Sequence, residues 1–185
     1  MLSKVITGNP GVGKHSVAKQ LAKRLNLDLI DINKVAIHER IFEESEGTFD
    51  VDVKKLKKIL EKLITKKTLV VGHLAPYVVS RKQVKIVMVL RRDPYKLISV
   101  YEKRKYSYQK AIENLGSEIL GVTYYDSINE FCSDRTFQIN TTGKSASTIA
   151  KKIEDLFVKG VFQEDEVDWL GLVSEKNDLK RFFSY

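Results

Sequence analysis

The chain has 185 residues, 43% of them hydrophobic and 30% charged, with a formal net charge of +8. That length suits one domain, since domains usually take ~100–200 residues, and the composition excludes wholesale disorder. The charge suits polyanionic partners, although a solvated lysine-rich surface explains it as well. No stretch approaches the ~20 consecutive apolar residues of a membrane span. The opening "MLSKVITG" leads into a strand pattern, so no signal peptide is expected. Cys132 is the only cysteine, which leaves no disulfide framework and points to the cytoplasm.

"KVITG" (4–8) reads as a buried strand ended by glycine. From Gly13 to Leu25 the spacing is helical, with Val17, Ala18, Leu21, Ala22 and Leu25 on one face. "LDLIDI" (27–32) reads as a second strand, residues 34–44 as a helix, and "SEGTFD" (45–50) as a loop. In "VDVKKLKKILEKLITKK", Leu56, Ile59, Leu60, Leu63 and Ile64 form the apolar stripe of an amphipathic helix. Its N-cap is Asp52, and its outer face is lysine-rich.

"TLVVG" (68–72) and "QVKIVMVL" (83–90) are near-continuous apolar runs, as parallel strands covered on both faces should be. A helix follows from Pro94 to about Arg104, with proline suited to its first turn. Another starts near Ser107, with Ile112, Leu115, Ile119 and Val122 on one face. "RTFQIN" (135–140) is a fifth strand, and Ser145 or Ser147 caps a last core helix through Ile149, Ile153, Leu156 and Phe157. Alternating strands and helices predict an α/β fold with a parallel sheet. The extension from about 160 to 185 carries Trp169, Leu172, Leu179, Phe182 and Phe183. That is too much apolar bulk for a free tail, so one or two short helices packed on the domain are expected.

Gly8, Gly13 and Lys14 match G-x-x-x-x-G-K between a strand and a helix. Glycines let backbone N–H groups curl around phosphate oxygens. The helix N-terminus adds positive potential, and Lys14 brings a point charge to the outer phosphates. The next position normally supplies a hydroxyl to Mg²⁺, a hard ion that prefers oxygen. Here it is His15, a poor match, while Ser16 lies ~100° further around the helix. Three readings stay open: Ser16 reaches metal or phosphate by a shifted route, phosphates and water hold most of the ion, or catalysis is weak. The second is favoured, with His15 donating a hydrogen bond to phosphate. Phosphoryl transfer also needs cationic side chains on a flap. Arg91 and Arg92 leave the fourth strand at the carboxyl edge, where ligands of open α/β sheets sit, and Arg104 and Lys105 connect two helices.

Three segments, "GNPGVGKHSV", "GHL" and "VLRRDP…EKRKYSYQKAIENLGSEI", together resemble the adenylate kinase isoenzyme 6 family. These are archaeal and eukaryotic nucleoside monophosphate (NMP) kinases that also serve as ribosome-maturation ATPases. The resemblance covers roughly residues 1–158. It implies a single P-loop kinase domain with a five-stranded parallel sheet, an NMP-binding insert at about 30–53 and a short lid at about 103–113. It implies transfer of the terminal phosphate of ATP to AMP or another NMP with Mg²⁺, ATP hydrolysis, and association with a small-subunit ribosomal protein and pre-rRNA. Gly11, Val12, Gly13, Lys14, His15 and Ser16 fall on the family's ATP-phosphate loop, with Ser16 the candidate metal ligand. Arg104 falls on the lid arginine, and Arg91 on an arginine facing the acceptor phosphate. The sequence departs twice from the family's pattern. Gly-Lys-His-Ser replaces Gly-Lys-Thr-Thr, and Val71-Gly72-His73 replaces Asp-x-His. His73 is retained, to orient water or the adjacent phosphate or else to cap the next helix. Asp31 is a candidate for metal-bound water or for the NMP. Two other readings compete with the kinase. One is an assembly ATPase that switches its grip on a ribosomal partner, and the other is a small-molecule kinase outside nucleotide metabolism.

Overall fold

The computed structural model describes residues 2–45 and 48–183, except for the side chains of 42–50. Five parallel strands form the central sheet: β1 (Ser3–Thr7), β2 (Asp28–Asp31), β5 (Thr68–Val71), β6 (Val84–Arg91) and β7 (Thr136–Asn140), in the order β2-β5-β1-β6-β7. The chain starts at the centre, goes out to the edge strand β2, returns to β5 beside β1, then crosses to β6 and on to β7, so β1 pairs with β5 on one side and β6 on the other. In such sheets ligands sit beyond the carboxyl ends of the strands, near the point where strand order reverses. That point is the end of β1, where the glycine loop begins.

Helices α1 (Lys14–Leu25), α2 (Ile32–His38), α3 (Val53–Leu63), α4 (Ala75–Val78), α5 (Pro94–Lys103), α6 (Tyr108–Ile119), α7 (Val122–Phe131) and α8 (Ala146–Lys159) flank the sheet. One core layer gathers Leu21 of α1, Leu97 of α5 and Ile153 of α8 against Ile6, Met88 and Ile139 of the sheet. The other gathers Leu56 and Leu60 of α3, Val78 and Phe131 against Val5, Val70 and Val87. The alternating side chains of β1 therefore feed both layers, which is why its sequence is apolar without interruption. Capping follows the expected chemistry. Asp52 accepts from Lys55 N at 2.9 Å, and Ser145, rather than Ser147, accepts from Thr148 N at 3.1 Å. Each such cap stabilises its helix by about 1 kcal/mol.

Three expected elements are corrected. The helix read over 34–44 ends at His38, and Arg40 turns left-handed at φ 52°. Residues 42–45 and 48–50, read as the helix end and a loop, instead belong to an antiparallel pair, β3 (Phe42–Ser45) and β4 (Thr48–Val51), while 46–47 of the expected loop lie outside the described residues. Pairing partners several residues apart in the chain outweigh the local helical pattern here. The helix expected to run from Ser107 through Val122 stops at Ile119, and Gly121 at φ 68° opens α7. Glycine suits that left-handed backbone, and the break lies beside the buried Arg91 guanidinium.

The C-terminal extension packs on the domain, as its apolar content predicts. It forms α9 (Trp169–Glu175) and α10 (Leu179–Phe182). Before α9, Glu164 accepts from Gln138 N at 2.8 Å and Asp165 accepts from Asn140 N at 2.9 Å. Both amides belong to β7, an edge strand. Two carboxylates thus cover backbone donors that would otherwise invite another strand. No helix among the described residues is long and apolar enough to cross a membrane.

Candidate functional site

The loop from Gly8 to Gly13 is shaped by contacts on its outer side. Gly8 has φ 134° and lies so close to β6 that a Cβ would sit 2.4 Å from Leu90 O. Gly11, at φ 89°, lies against Leu97, Val100 and Tyr101 of α5, where a Cβ would find neighbours at 3.0–3.2 Å. The loop carbonyls are occupied in turn. Asn9 O accepts from Lys14 Nζ at 3.2 Å, and Pro10 O from Tyr101 Oη at 2.7 Å. Gly11 O accepts from Arg92 Nη1 at 3.3 Å, and Val12 O from Thr141 Oγ1 at 3.0 Å. With these oxygens bound elsewhere, the opening N–H groups of α1, which have no acceptor within the helix, are free for an anion. Gly13, the N-cap at φ 96°, has nothing within 4 Å of its Cβ direction, so the loop stays open at that point.

Lys14, His15, Ser16, His73 and Arg104 line one cavity of about 920 Å³ together with Gly11 and Gly13. Val12, expected in the phosphate loop, is buried in the core and does not line the cavity. Lys14 is 4% exposed. Burial, then the Arg104 guanidinium, push its ammonium down to about 8, while Asp31 and Glu118 pull the other way. A cation so poorly compensated gains most from an incoming anion. His73 is held down at about 4 by burial, Lys14, His15 and Lys110. It is therefore a neutral imidazole at physiological pH, suited to hydrogen bonding rather than to charge.

Asp31 Oδ1 caps α2 through Asn33 N at 3.1 Å, and its Oδ2 lies 3.2 Å from His15 Nε2. Burial lowers the His15 pKa in spite of Asp31. Asp31 pairs in register with Val71 on the neighbouring strand. Val71 is fully buried in the core, so no carboxylate stands on β5. The residues present do not fit a protein-held Mg²⁺. An imidazole follows Lys14, the nearest carboxylate is engaged by that imidazole, and Ser16 offers a lone exposed hydroxyl. Among the described residues, no group of three or more His, Cys, Asp or Glu side chains could hold a metal ion.

Arg91 is a correction. The structure does not bring it to the cavity. Its guanidinium donates to Glu118 Oε1 at 2.9 Å, Glu118 O at 2.6 Å and Gln138 Oε1 at 2.9 Å, all in the interior. A cation spent on a buried carboxylate does not serve an acceptor phosphate.

Several cavity residues escaped sequence reasoning. Tyr106, Lys110 and Asn114 line it from the α5–α6 corner. Tyr106 stacks on Tyr101 with ring centroids 5.2 Å apart, and Lys110 Nζ lies 5.0 Å from the Tyr106 centroid. A signal was available: Lys110, Asn114 and Glu118 recur every four residues, in a polar row beside the apolar stripe of α6. From the other side come Asn33, Ala36, Ile37, Val51, Val53 and Leu74, mostly apolar.

A family model described as an AAA domain matches residues 5–121. A Saccharolobus solfataricus protein named "Putative adenylate kinase" is 32% identical over 152 residues, 80% of each chain. A Thermococcus gammatolerans protein of the same name is 31% identical over 172 residues, 92% of this chain and 94% of that one. Among solved structures, Acinetobacter baumannii shikimate kinase in complex with shikimate aligns at TM-score 0.61 and 20% identity. That alignment covers 88% of this chain and 96% of that one. The Bacillus subtilis YorR protein in complex with phosphorylated GDP aligns at 0.57 and 18%, over 84% and 95%. At those identities the structural matches establish the P-loop kinase fold and nothing finer. The chain belongs to the AAA-domain family of P-loop proteins and, with its archaeal relatives, to the adenylate-kinase-like kinases.

Proposed function

We propose that this protein is an NMP kinase of the adenylate kinase isoenzyme 6 type. It transfers the terminal phosphate of ATP to AMP or another NMP and also hydrolyses ATP. The observation that carries this reading is the convergence of Lys14, Arg104 and Lys110 with the open loop on one cavity. Transfer between two nucleotides needs such a concentration of positive charge around the moving phosphoryl group. Loop amides and Lys14 grip the donor phosphates, and Ser16 and His15 border them. Arg104, at the exposed C-cap of α5, swings onto the phosphoryl group as it moves. His73, neutral, donates or accepts a hydrogen bond at the acceptor or at attacking water. The segment 30–53 forms the acceptor side, and the corner at 103–113 the lid. Mg²⁺ accompanying the triphosphate would be held by phosphates and water, where it would neutralise phosphate charge. No protein carboxylate is asked to hold it.

A second reading is favoured by the absent carboxylate at Val71 and the net charge of +8. In it the protein is chiefly an assembly ATPase acting on a small-subunit ribosomal protein and pre-rRNA. One assay separates the two. Protein, MgATP and each NMP in turn are mixed, and ADP and NDP are followed. NDP formation above the water-only rate supports the kinase. Hydrolysis indifferent to every NMP, yet raised by a ribosomal-protein partner, supports the switch.

A further inference from the structure

The extension that holds Trp169 lies beyond the matched family segment of 5–121, yet it reaches the phosphate loop through one buried carboxylate. Trp169 Nε1 donates to Glu118 Oε1 at 3.1 Å. Glu118 Oε2 accepts from Asn9 Nδ2, inside the loop, at 2.9 Å. The same carboxylate takes Arg91 Nε at 2.9 Å and Arg92 N at 3.0 Å. Glu118 is fully buried, Asn9 is 5% exposed and Trp169 is 9% exposed. Burial pushes the Glu118 carboxyl up, and the Arg91 guanidinium with the N–H donors pulls against it. All four partners are donors, so the group serves as a carboxylate.

Asn9 is held at both ends of its amide, since its Oδ1 accepts from Thr123 Oγ1 at 3.0 Å. Its backbone carbonyl is the oxygen that takes Lys14 Nζ. A polar path therefore runs from the indole through Glu118 and Asn9 to the cation that would grip phosphate. The tail is pinned on both sides of the indole. Glu164 and Asp165 hold β7 before it, and after it Asp178 accepts from Tyr95 Oη of α5 at 2.8 Å. Asp168 caps α9 by accepting from Gly171 N at 2.7 Å, which sets Trp169 at the first helical position.

We infer that Trp169 is a positioning residue for the nucleotide site: its indole N–H orients Glu118, and Glu118 orients Asn9 and the phosphate loop. The inference rests on the nucleotide-binding reading above. An arriving phosphate draws Lys14 Nζ away from Asn9 O, and the change travels back along the same path. Trp169 is the only tryptophan in the chain, so its emission reports on loop occupancy without a label.

The test is ATP calorimetry on the full-length wild type and on Trp169→Phe, which keeps an aromatic ring, removes the N–H and shrinks the bicyclic indole to a single ring. Losing one donor to a buried charged acceptor should weaken ATP binding roughly three- to tenfold. The KM for the acceptor NMP should stay unchanged. Because both changes act on one network, Trp169→Phe and Asn9→Ala should combine less than additively. An ATP affinity of Trp169→Phe within twofold of wild type, or fully additive effects, overturns the inference. Should Trp169→Phe fail to fold, the wild-type emission decides. A shift that saturates at the calorimetric affinity supports the path, and no shift overturns it. A folded wild type that takes up no ATP sinks the nucleotide reading itself, and this inference with it.

Discussion

The two walls of the cavity are built differently. The donor wall is a backbone loop braced from behind by Tyr101, Arg92, Thr141 and Glu118, with buried or half-buried polar partners at each step. The facing wall, from α2, β4 and Leu74, offers aliphatic side chains and Asn33. A site that must hold a multiply charged group in one orientation needs donors fixed before the ligand arrives. A wall that meets varied partners needs only shape and apolar area. The contrast predicts that small changes on the donor side are severe and comparable changes opposite are mild.

The largest expected effect is at Lys14. Lys14→Ala should reduce ATP affinity and turnover at least ~100-fold, because it removes the point charge the loop is built around. Calorimetry and steady-state assay both read it, and retained binding would break the donor-wall account. Next is Gly8→Ala, where the added Cβ meets Leu90 O at 2.4 Å in a left-handed backbone. Destabilisation of about 2–4 kcal/mol is expected in urea unfolding. Arg104→Ala should slow turnover ~10–100-fold and leave ATP binding within a few-fold, since an exposed side chain acts on the moving phosphoryl group rather than on the bound donor.

The pH dependence follows from Lys14. Its ammonium sits near 8 without a ligand, and bound phosphate raises that value. Below 8 the lysine is charged in both states and affinity is flat. Above 8 binding must take up a proton, so affinity falls by up to ~tenfold per pH unit until the liganded pKa is reached. ATP titrations from pH 7 to 9.5 check the sign. The smallest effect is expected across the cavity, where Asn33→Ala should raise the NMP KM by only ~2–5-fold. A larger loss would show that the facing wall also orients its ligand through polar groups.

The residues differ in how far the sequence alone exposes them. Gly8, Gly13 and Lys14 are legible because the loop is local. Strand, turn and helix follow within about a dozen positions, and the required conformations name the residue types. The amphipathic stripes of α1, α3 and α8 are legible for the same reason. The pairing of Phe42 with Val51 is not, since nothing within a helical window signals an antiparallel partner. Arg91 misleads for a related reason. It leaves a strand at the correct edge, but the carboxylate that claims it is 27 residues away in the chain.

By itself, then, the sequence determined the alternation of strand and helix, the phosphate loop and the burial of the tail's aromatic residues, all of which follow from short-range periodicity and glycine chemistry. Tertiary structure alone decided which charges remain available to a ligand. Arg91 is consumed inside by Glu118, Asp31 is engaged by His15, and Lys14, Arg104 and Lys110 are left around the cavity. The physical reason is that a charged side chain's role depends on its nearest counter-charge and its exposure to water, and both are set by residues distant in the chain.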